Sequence, residues 1–455
     1  MKKVVVSSPV HVAVLAFPFG SHAAPLLNLV QEIASKSPKV TFSFFTTKRS
    51  NDSIFSRHQN NAGINIIHNI KAYNVEDGLP ETYVPSSNHP IQPINIFLSV
   101  MIRNFRLAMD KALAETQINF TCLLTDAFLW FAAEMAAEID AKWVPLWTAG
   151  PHSLLCHVMT DFVRDKFSSN DGDENIDFVP GLPVVKASEL PEGIIDDIEQ
   201  PLSSMLHKMG QMLPKSTAVA INSFNELEPP MMKQLESKFR KLLNVGPLTL
   251  SMPQPIIPDD EGCIEWLNKH DIASVVYISF GTVIVPPPHE LIAIAEAIDE
   301  SGYPFIWSFR GRRHDEQLPE GFLERTKDKG KMVSWSPQVE ILKHEAIGVC
   351  VTHSGWNSIM ECMVGGVPMI SRPFFGDQKL NTRMMESSWG VGVPIQGGVF
   401  TKESTLAALK LTMSSDEGML MREKIAEFKK SAKQAVESNG SSIRDFNTLV
   451  EIVTS

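Results

Sequence analysis

The sequence predicts an α/β protein of two doubly wound, Rossmann-like domains facing a cleft. Three observations lead there. A chain of 455 residues is too long for one ordinary core, which suggests two or three domains, or two large α/β ones. Short apolar runs rich in β-branched and aromatic residues alternate with longer helical patterns, the rhythm of parallel sheets covered by helices. That rhythm pauses at Ser251-Met-Pro-Gln-Pro-Ile-Ile-Pro-Asp-Asp260, whose three prolines and two acidic residues read as an interdomain linker, and then restarts. The division expected is a first domain over 1–250, a linker over 251–260 and a second domain over 261–439.

In the first domain, His11-Val-Ala-Val-Leu-Ala-Phe17 is a buried-strand run, Pro18-Phe-Gly-Ser21 a turn and residues 26–34 a helix. Residues 40–45, 121–125 and 143–147 read as further parallel strands, with room for all in one sheet. The polar stretches 84–93 and 168–183 read as surface loops, and 243–246 as strand-like chain ahead of the linker. In the second domain, strands are expected over 274–279, 304–309 and 347–352 and a helix over 290–300. There is no internal repeat. Two such domains create a cleft, the default place for a small-molecule site.

Composition narrows the function. Hydrophobic residues at 44% and charged residues at 20% are those of a folded globular protein. A formal charge of −11 with no basic stripe argues against nucleic acid. Five cysteines, an odd number without CxxC spacing, argue against a disulfide framework or a zinc site and for buried thiols. The opening Met-Lys-Lys and its apolar run resemble a secretory leader, but Ser7-Ser-Pro9 and His11 interrupt it without a convincing cleavage site. No apolar run is long enough to span a membrane. The sequon Asn119-Phe-Thr121 is then a chance match. A cytoplasmic chain with no membrane span is expected, and nothing demands a partner subunit.

The sharpest local feature is Ile347-Gly-Val-Cys-Val-Thr352 followed by His353-Ser-Gly-Trp-Asn-Ser358 and a helical pattern ending near Gly365-Gly366. It reads as strand, turn and helix start. Free N–H groups and the positive dipole end there favour an anion such as a diphosphate, and His353, Asn357 and Ser358 add side-chain donors. Spacing by four puts His353, Asn357 and Glu361 along one helix face, where the Glu361 carboxylate suits a ribose diol better than a phosphate. The same pattern also fits an ordinary first helical turn with a solvated Glu361. Ser279-Phe-Gly-Thr282, after another strand, offers a second phosphate approach or a plain βα turn.

With these residues in place, Trp335-Ser-Pro-Gln338, His353-Ser-Gly-Trp-Asn-Ser358, Glu361, Gly366-Val-Pro368 and Asp377-Gln378 together resemble the C-terminal signature of plant secondary-product UDP-glycosyltransferases. The resemblance implies that Trp335 stacks on uracil, that Gln338 and Glu361 hold ribose, and that His353, Asn357 and Ser358 hold the diphosphate. Trp356, Asp377 and Gln378 would face the sugar, and a terminal glutamine favours glucose over galactose. Stacking on a flat base and carboxylate or amide contacts to vicinal hydroxyls are suitable chemistry for these roles. Ser354 stands where the family more often has cysteine, a small change.

In the first half, His22 follows the first strand, where a loop at a strand's C-terminal end faces the cleft. A histidine is substantially neutral near pH 7 and can take a proton from a phenol, although a loop histidine equally serves as a helix cap or a surface residue. Asp126, also at a strand's C-terminal end, could orient that imidazole and stabilise its cation, or cap the helix that follows. Phe17-Pro-Phe-Gly-Ser-His-Ala-Ala-Pro25, Thr125-Asp-Ala-Phe128 and Trp147-Thr-Ala-Gly-Pro151 look like plant flavonoid 3-O-glucosyltransferases, especially legume members, over nearly the whole chain. That likeness implies His22 as base, Asp126 as its supporting acid, Thr148 near the glucose and His157 near the acceptor. Phe17, Phe128 and Phe375 are candidate aromatic walls.

The resemblance implies the GT-B fold, with a C-terminal helix over about 440–455 packing back on the first domain. It also implies an inverting transfer of glucose from UDP-glucose to a phenolic hydroxyl, giving a β-glucoside with no metal and no cofactor. The only D-x-D, Asp171-Gly-Asp173, lies in a polar loop and reads as a turn. The first-choice acceptor is the 3-hydroxyl of a flavonol or anthocyanidin, with an isoflavone 7-hydroxyl or another phenolic behind it. A non-catalytic UDP-sugar or flavonoid binder is disfavoured by His22 and Asp126. An NAD-dependent oxidoreductase is disfavoured because no GxGxxG follows either domain's first strand.

Overall fold

The computed structural model describes residues 9–59, 68–80, 83, 91–167, 174–252, 258–309 and 317–455. Two fully parallel sheets organise it, and a two-stranded antiparallel ribbon stands apart from them. The first sheet contains β1 (His11–Leu15), β2 (Thr41–Thr47), β3 (Ile70–Val75), β4 (Cys122–Asp126) and β5 (Lys142–Trp147). The ribbon pairs β6 (Asn175–Ile176) with β7 (Val185–Lys186). β8 (Val219–Ile221) and β9 (Leu242–Asn244) complete the first sheet, in the order β3-β2-β1-β4-β5-β8-β9.

The second sheet contains β10 (Val275–Ser279), β11 (Phe305–Ser308), β12 (Gly330–Val333), β13 (Ile347–Thr352), β14 (Met369–Ser371) and β15 (Gly392–Pro394), in the order β12-β11-β10-β13-β14-β15. The central strands are buried along their whole length and mostly apolar, as parallel sheets covered on both faces are: all five residues of β1, β4 and β10 and all six of β13 are buried, His11 and Asp126 being polar exceptions at strand ends.

Both sheets reverse their winding direction at one place. In the first, β1 pairs with β2 on one side and β4 on the other; in the second, β10 pairs with β11 and β13. The loops leaving β1 and β4, and those leaving β10 and β13, therefore diverge and open a crevice at their C-terminal ends, where doubly wound sheets bind ligands.

The helix Ser441–Thr454 covers the first sheet, although its sequence follows the second. Its Phe446, Leu449 and Val453 join the core made by Val12, Val14, Leu124 and Leu146, and Lys142 Nζ donates to the Ile452 carbonyl at 3.0 Å. The amphipathic spacing of those three apolar residues is what seats it there.

Two readings of the chain are corrected. Of the polar stretch 84–93, Gln92 and Pro93 begin a long helix, Gln92–Thr116, with the proline in its first turn, where a missing N–H costs nothing. Of 168–183, residues 175–176 are a strand of the ribbon. Residues 84–90, the Asp171-Gly-Asp173 turn and linker residues 253–257 lie outside the described residues. All five cysteines are buried free thiols.

Candidate active site

The β1 loop turns at Gly20 (φ +63°) and delivers His22 to the start of the helix Ala23–Lys36. Its Nδ1 lies 2.9 Å from Asp126 Oδ2, at the end of β4. The carboxylate is 1% exposed and its other oxygen accepts the Phe128 N–H at 2.9 Å, so both oxygens are held. A carboxylate on Nδ1 fixes that nitrogen as the protonated one and leaves Nε2, across the ring, as the basic nitrogen. Thr148 Oγ1, just past β5, lies 3.2 Å from the same Nδ1.

Aromatic rings wall this histidine. Phe128 packs 4.5 Å and Phe17 5.3 Å from the imidazole, centroid to centroid. Phe19 and Phe97, which the sequence reading did not single out, extend the cluster from Phe17. His157 reaches it indirectly: its ring packs on Trp147, which packs on Phe128. Burial pushes His157 down to about 3, so it is neutral at pH 7. Phe375 stands in the other half, 39% exposed.

The β13 loop builds the facing side. The helix that follows is Trp356–Gly365, with Gly355 as its N-cap and no side chain capping it. Its first N–H groups therefore remain available to an anion. The spacing of four had suggested that His353, Asn357 and Glu361 share one helix face, and the structure corrects this for His353. Ser354 adopts φ +62°, a left-handed residue that breaks the helical path, and His353 lies in the turn before the helix. Its imidazole fits between two glycines: a Cβ on Gly355 would sit 2.5 Å from Nε2, and one on Gly281, after β10, 2.8 Å from Cε1. Burial pushes His353 down to about 4, and among the described residues its buried Nδ1 has no partner.

Beside it, Gln338 Nε2 donates to Ser358 Oγ at 3.0 Å and to Glu361 Oε2 at 2.6 Å, while Gln338 Oε1 accepts from buried Tyr277 at 3.0 Å. These three expected donor residues thus form one connected group. Burial raises the Glu361 carboxyl to about 7, against the opposing hydrogen bond from Gln338. Trp335 stands at the rim with 36% of its surface exposed, and Ser279, buried, ends β10.

Trp356 is 3% exposed and its indole N–H donates to the Asn222 carbonyl at 2.8 Å, across to the first half. Asn357 bridges the same seam, accepting from Asn222 Nδ2 at 3.4 Å and donating to Ser21 Oγ at 3.2 Å. Gln378 turns its side-chain oxygen to the N–H groups of Phe374 and Phe375, at 2.8 and 3.2 Å, so its amide NH2 is the end left for a ligand. Asp377 Oδ2 accepts from Asn381 Nδ2 at 2.9 Å and from the Gly150 N–H at 3.5 Å. Asn222 and Asn381 escaped sequence reading because each acts through a tertiary approach that no local spacing encodes.

The arrangement offers a base with a buried carboxylate behind it, an aromatic wall beside it, and an uncapped helix terminus facing it. The family model described as UDP-glucoronosyl and UDP-glucosyl transferase matches residues 13–424. The chain is 60% identical to a flavonoid 3-O-glucosyltransferase of Medicago truncatula, over 98% of this chain and 97% of that relative. It is 48% identical to an anthocyanidin 3-O-galactosyltransferase of Actinidia chinensis var. chinensis, over 98% of each. Its fold matches the crystal structure of a UDP-glucose:anthocyanidin 3-O-glucosyltransferase in complex with UDP at TM-score 0.91 and 40% identity, covering 97% of this chain and 98% of that one.

Proposed function

We propose that this chain, which belongs to the UDP-glucoronosyl and UDP-glucosyl transferase family and is a UDP-glycosyltransferase of GT-B fold, moves glucose from UDP-glucose to the 3-hydroxyl of a flavonol or anthocyanidin. The names of its relatives support the acceptor. The observation that carries the catalytic reading is the 2.9 Å contact from His22 Nδ1 to Asp126 Oδ2, which turns Nε2 into a base beside an aromatic wall.

In this reading Nε2 takes the proton of the acceptor hydroxyl as its oxygen attacks the anomeric carbon from the face opposite UDP. The bond from that carbon to the diphosphate breaks, its electron pair leaves with UDP, and an α-linked donor yields a β-glucoside. Asp126 stabilises the imidazolium that forms. The helix terminus at Trp356, with Asn357, Ser358 and neutral His353 as hydrogen-bond donors, meets the charge that develops on the leaving group. Trp335 is assigned to uracil, Gln338 and Glu361 to ribose, Ser279 to the phosphate approach, and Trp356, Asp377, Gln378 and Thr148 to the sugar end. Phe17, Phe128, His157 and Phe375 are assigned to the acceptor.

The chain is read as a first domain over 1–250, a linker over 251–260 and a second domain over 261–439, with the helix near 440–455 counted with the first domain; the two separate parallel sheets support this reading. Five free buried thiols suit a reducing, cytoplasmic compartment. Among the described residues no helix is long and apolar enough to cross a membrane. A monomer acting without metal or cofactor accords with this reading.

The test is a screen of UDP-glucose and UDP-galactose against flavonols, anthocyanidins, isoflavones and simple phenols, with linkage assigned by NMR. A β-glucoside at the 3-position is expected. Transfer only to isoflavone 7-hydroxyls would replace the acceptor, preference for UDP-galactose would overturn the role of Gln378, and no transfer to any phenolic would overturn the function.

A further inference from the structure

We propose that Asn381 is a positioning residue that ties the sugar-facing pair Asp377 and Gln378 to the diphosphate-binding turn. The inference rests on the donor reading above. Asn381 is 2% exposed, and its amide NH2 donates to Asp377 Oδ2 at 2.9 Å and to the Ser354 carbonyl at 3.1 Å. One side chain thus bonds the carboxylate ahead of the helix Gln378–Arg383 and the left-handed residue of the turn after β13.

A second, independent link runs beside it. Ser354 Oγ bonds Ser371 Oγ, Ser371 Oγ lies 2.6 Å from Thr382 Oγ1, and Thr382 Oγ1 donates to the Gln378 carbonyl at 2.8 Å. Every member of this hydroxyl chain is buried. Ser354, Ser371 and Thr382 therefore fix the start of the Gln378 helix against the same turn that Asn381 grips.

The geometry has a chemical consequence. Oδ2 of Asp377 is held by Asn381 and Gly150 and the carboxylate also takes its own backbone N–H, which leaves lone-pair capacity on the other oxygen to accept from a sugar hydroxyl. With its own oxygen held by two backbone N–H groups, Gln378 offers its NH2 as a donor. An acceptor and a donor fixed side by side match adjacent hydroxyls of a hexose. Burial raises the Asp377 carboxyl, and the bonds it accepts from Asn381, from the Gly150 N–H and from its own backbone N–H oppose that rise. Removing Asn381 leaves Oδ2 short of a partner in a dry site, a state that favours rotation of the carboxylate out of place.

The test compares UDP, which lacks the sugar, with UDP-glucose in the full-length protein, using Asn381→Leu and Ser371→Ala. For a folded Asn381→Leu, UDP affinity by calorimetry should stay within about twofold, while KM for UDP-glucose rises about tenfold and preference for glucose over galactose narrows. Ser371→Ala removes one oxygen from a packed core, should retain its melting temperature to within a few degrees, and should raise KM about threefold with UDP affinity unchanged. Equal losses for UDP and UDP-glucose, or an unchanged KM, would overturn the proposal; where Asn381→Leu does not fold, Asn381→Ala carries the same readouts, and Ser371→Ala reports on the second link. A wild-type protein that uses no UDP-sugar removes the donor reading and this proposal with it, an outcome distinct from an Asn381 variant that behaves as wild type.

Discussion

The switch point between β1 and β4 and the one between β10 and β13 occupy the same place in their sheets and hold their polar groups in opposite states. At the first, His22 and Asp126 answer each other at 2.9 Å, and the second carboxylate oxygen takes a backbone N–H. At the second, His353 keeps a buried nitrogen without a partner among the described residues, and the Glu361 carboxyl is raised to about 7. An unpaired buried polar atom costs about 1–3 kcal/mol, which a ligand that pairs it returns on binding. In the proposed reading the base of the first site is oriented ahead of its substrate, with the buried Nδ1 of His157 the one atom there left unpaired among the described residues, while the second site is completed by its ligand.

The contrast can be broken most decisively at His22. Replacing it by alanine removes the base without touching the facing helix, so transfer should fall about 10³-fold while UDP affinity by calorimetry stays within about twofold. A parallel loss of UDP binding would show that the two sites are not separable. Next in size, Glu361→Gln should weaken UDP about tenfold, the value of a charge-assisted bond to ribose, and leave kcat nearly unchanged at saturating donor. A fall in kcat with UDP affinity intact would place Glu361 with the chemistry instead.

The smallest effect sharpens the contrast most. A carboxyl raised to about 7 is about half protonated at pH 7. Ribose hydroxyls donating to the carboxylate favour its ionised form, so UDP binding should release about half a proton at pH 7, more toward pH 6 and almost none above pH 8. Calorimetry in buffers of different ionisation enthalpy reads this directly, and the Glu361→Gln protein should lose it. Proton uptake, or a release that survives in Glu361→Gln, would contradict the idea that the ligand completes this site.

What the sequence disclosed follows from burial. The strands β1, β2, β4, β5, β10, β11 and β13 lie inside their sheets and read as largely apolar runs, with polar residues mostly at their ends. The edge strands β3 and β12 did not, because Lys71 and Asn74 in one and Gly330 and Lys331 in the other interrupt the pattern with residues an edge tolerates. The short strands β8, β14 and β15 are three residues each, too few for a periodic pattern to single them out; β9, equally short, reads only as strand-like chain over 243–246. At the site, positions at strand ends singled out His22 and Asp126, and spacing by four aligned Asn357 with Glu361 on one helix, but the same spacing misjudged His353. Nothing in a one-dimensional pattern reports that Ser354 turns left-handed, or that Gly281 arrives from another strand to leave room for an imidazole.

The helix Ser441–Thr454 has a bearing on how the protein is made. The apolar face of the first sheet is finished by Phe446, Leu449 and Val453, which leave the ribosome after the whole second sheet has been synthesised. Domains ordinarily fold as they emerge, N-terminal first. Here the nascent first half waits with Val12, Leu124 and Leu146 incompletely covered while some two hundred further residues are added, roughly 10–40 s at 5–20 residues per second. The helix Ser441–Thr454 acts as a seal on the earlier-made sheet, and the first domain closes its core only after the second sheet has been synthesised.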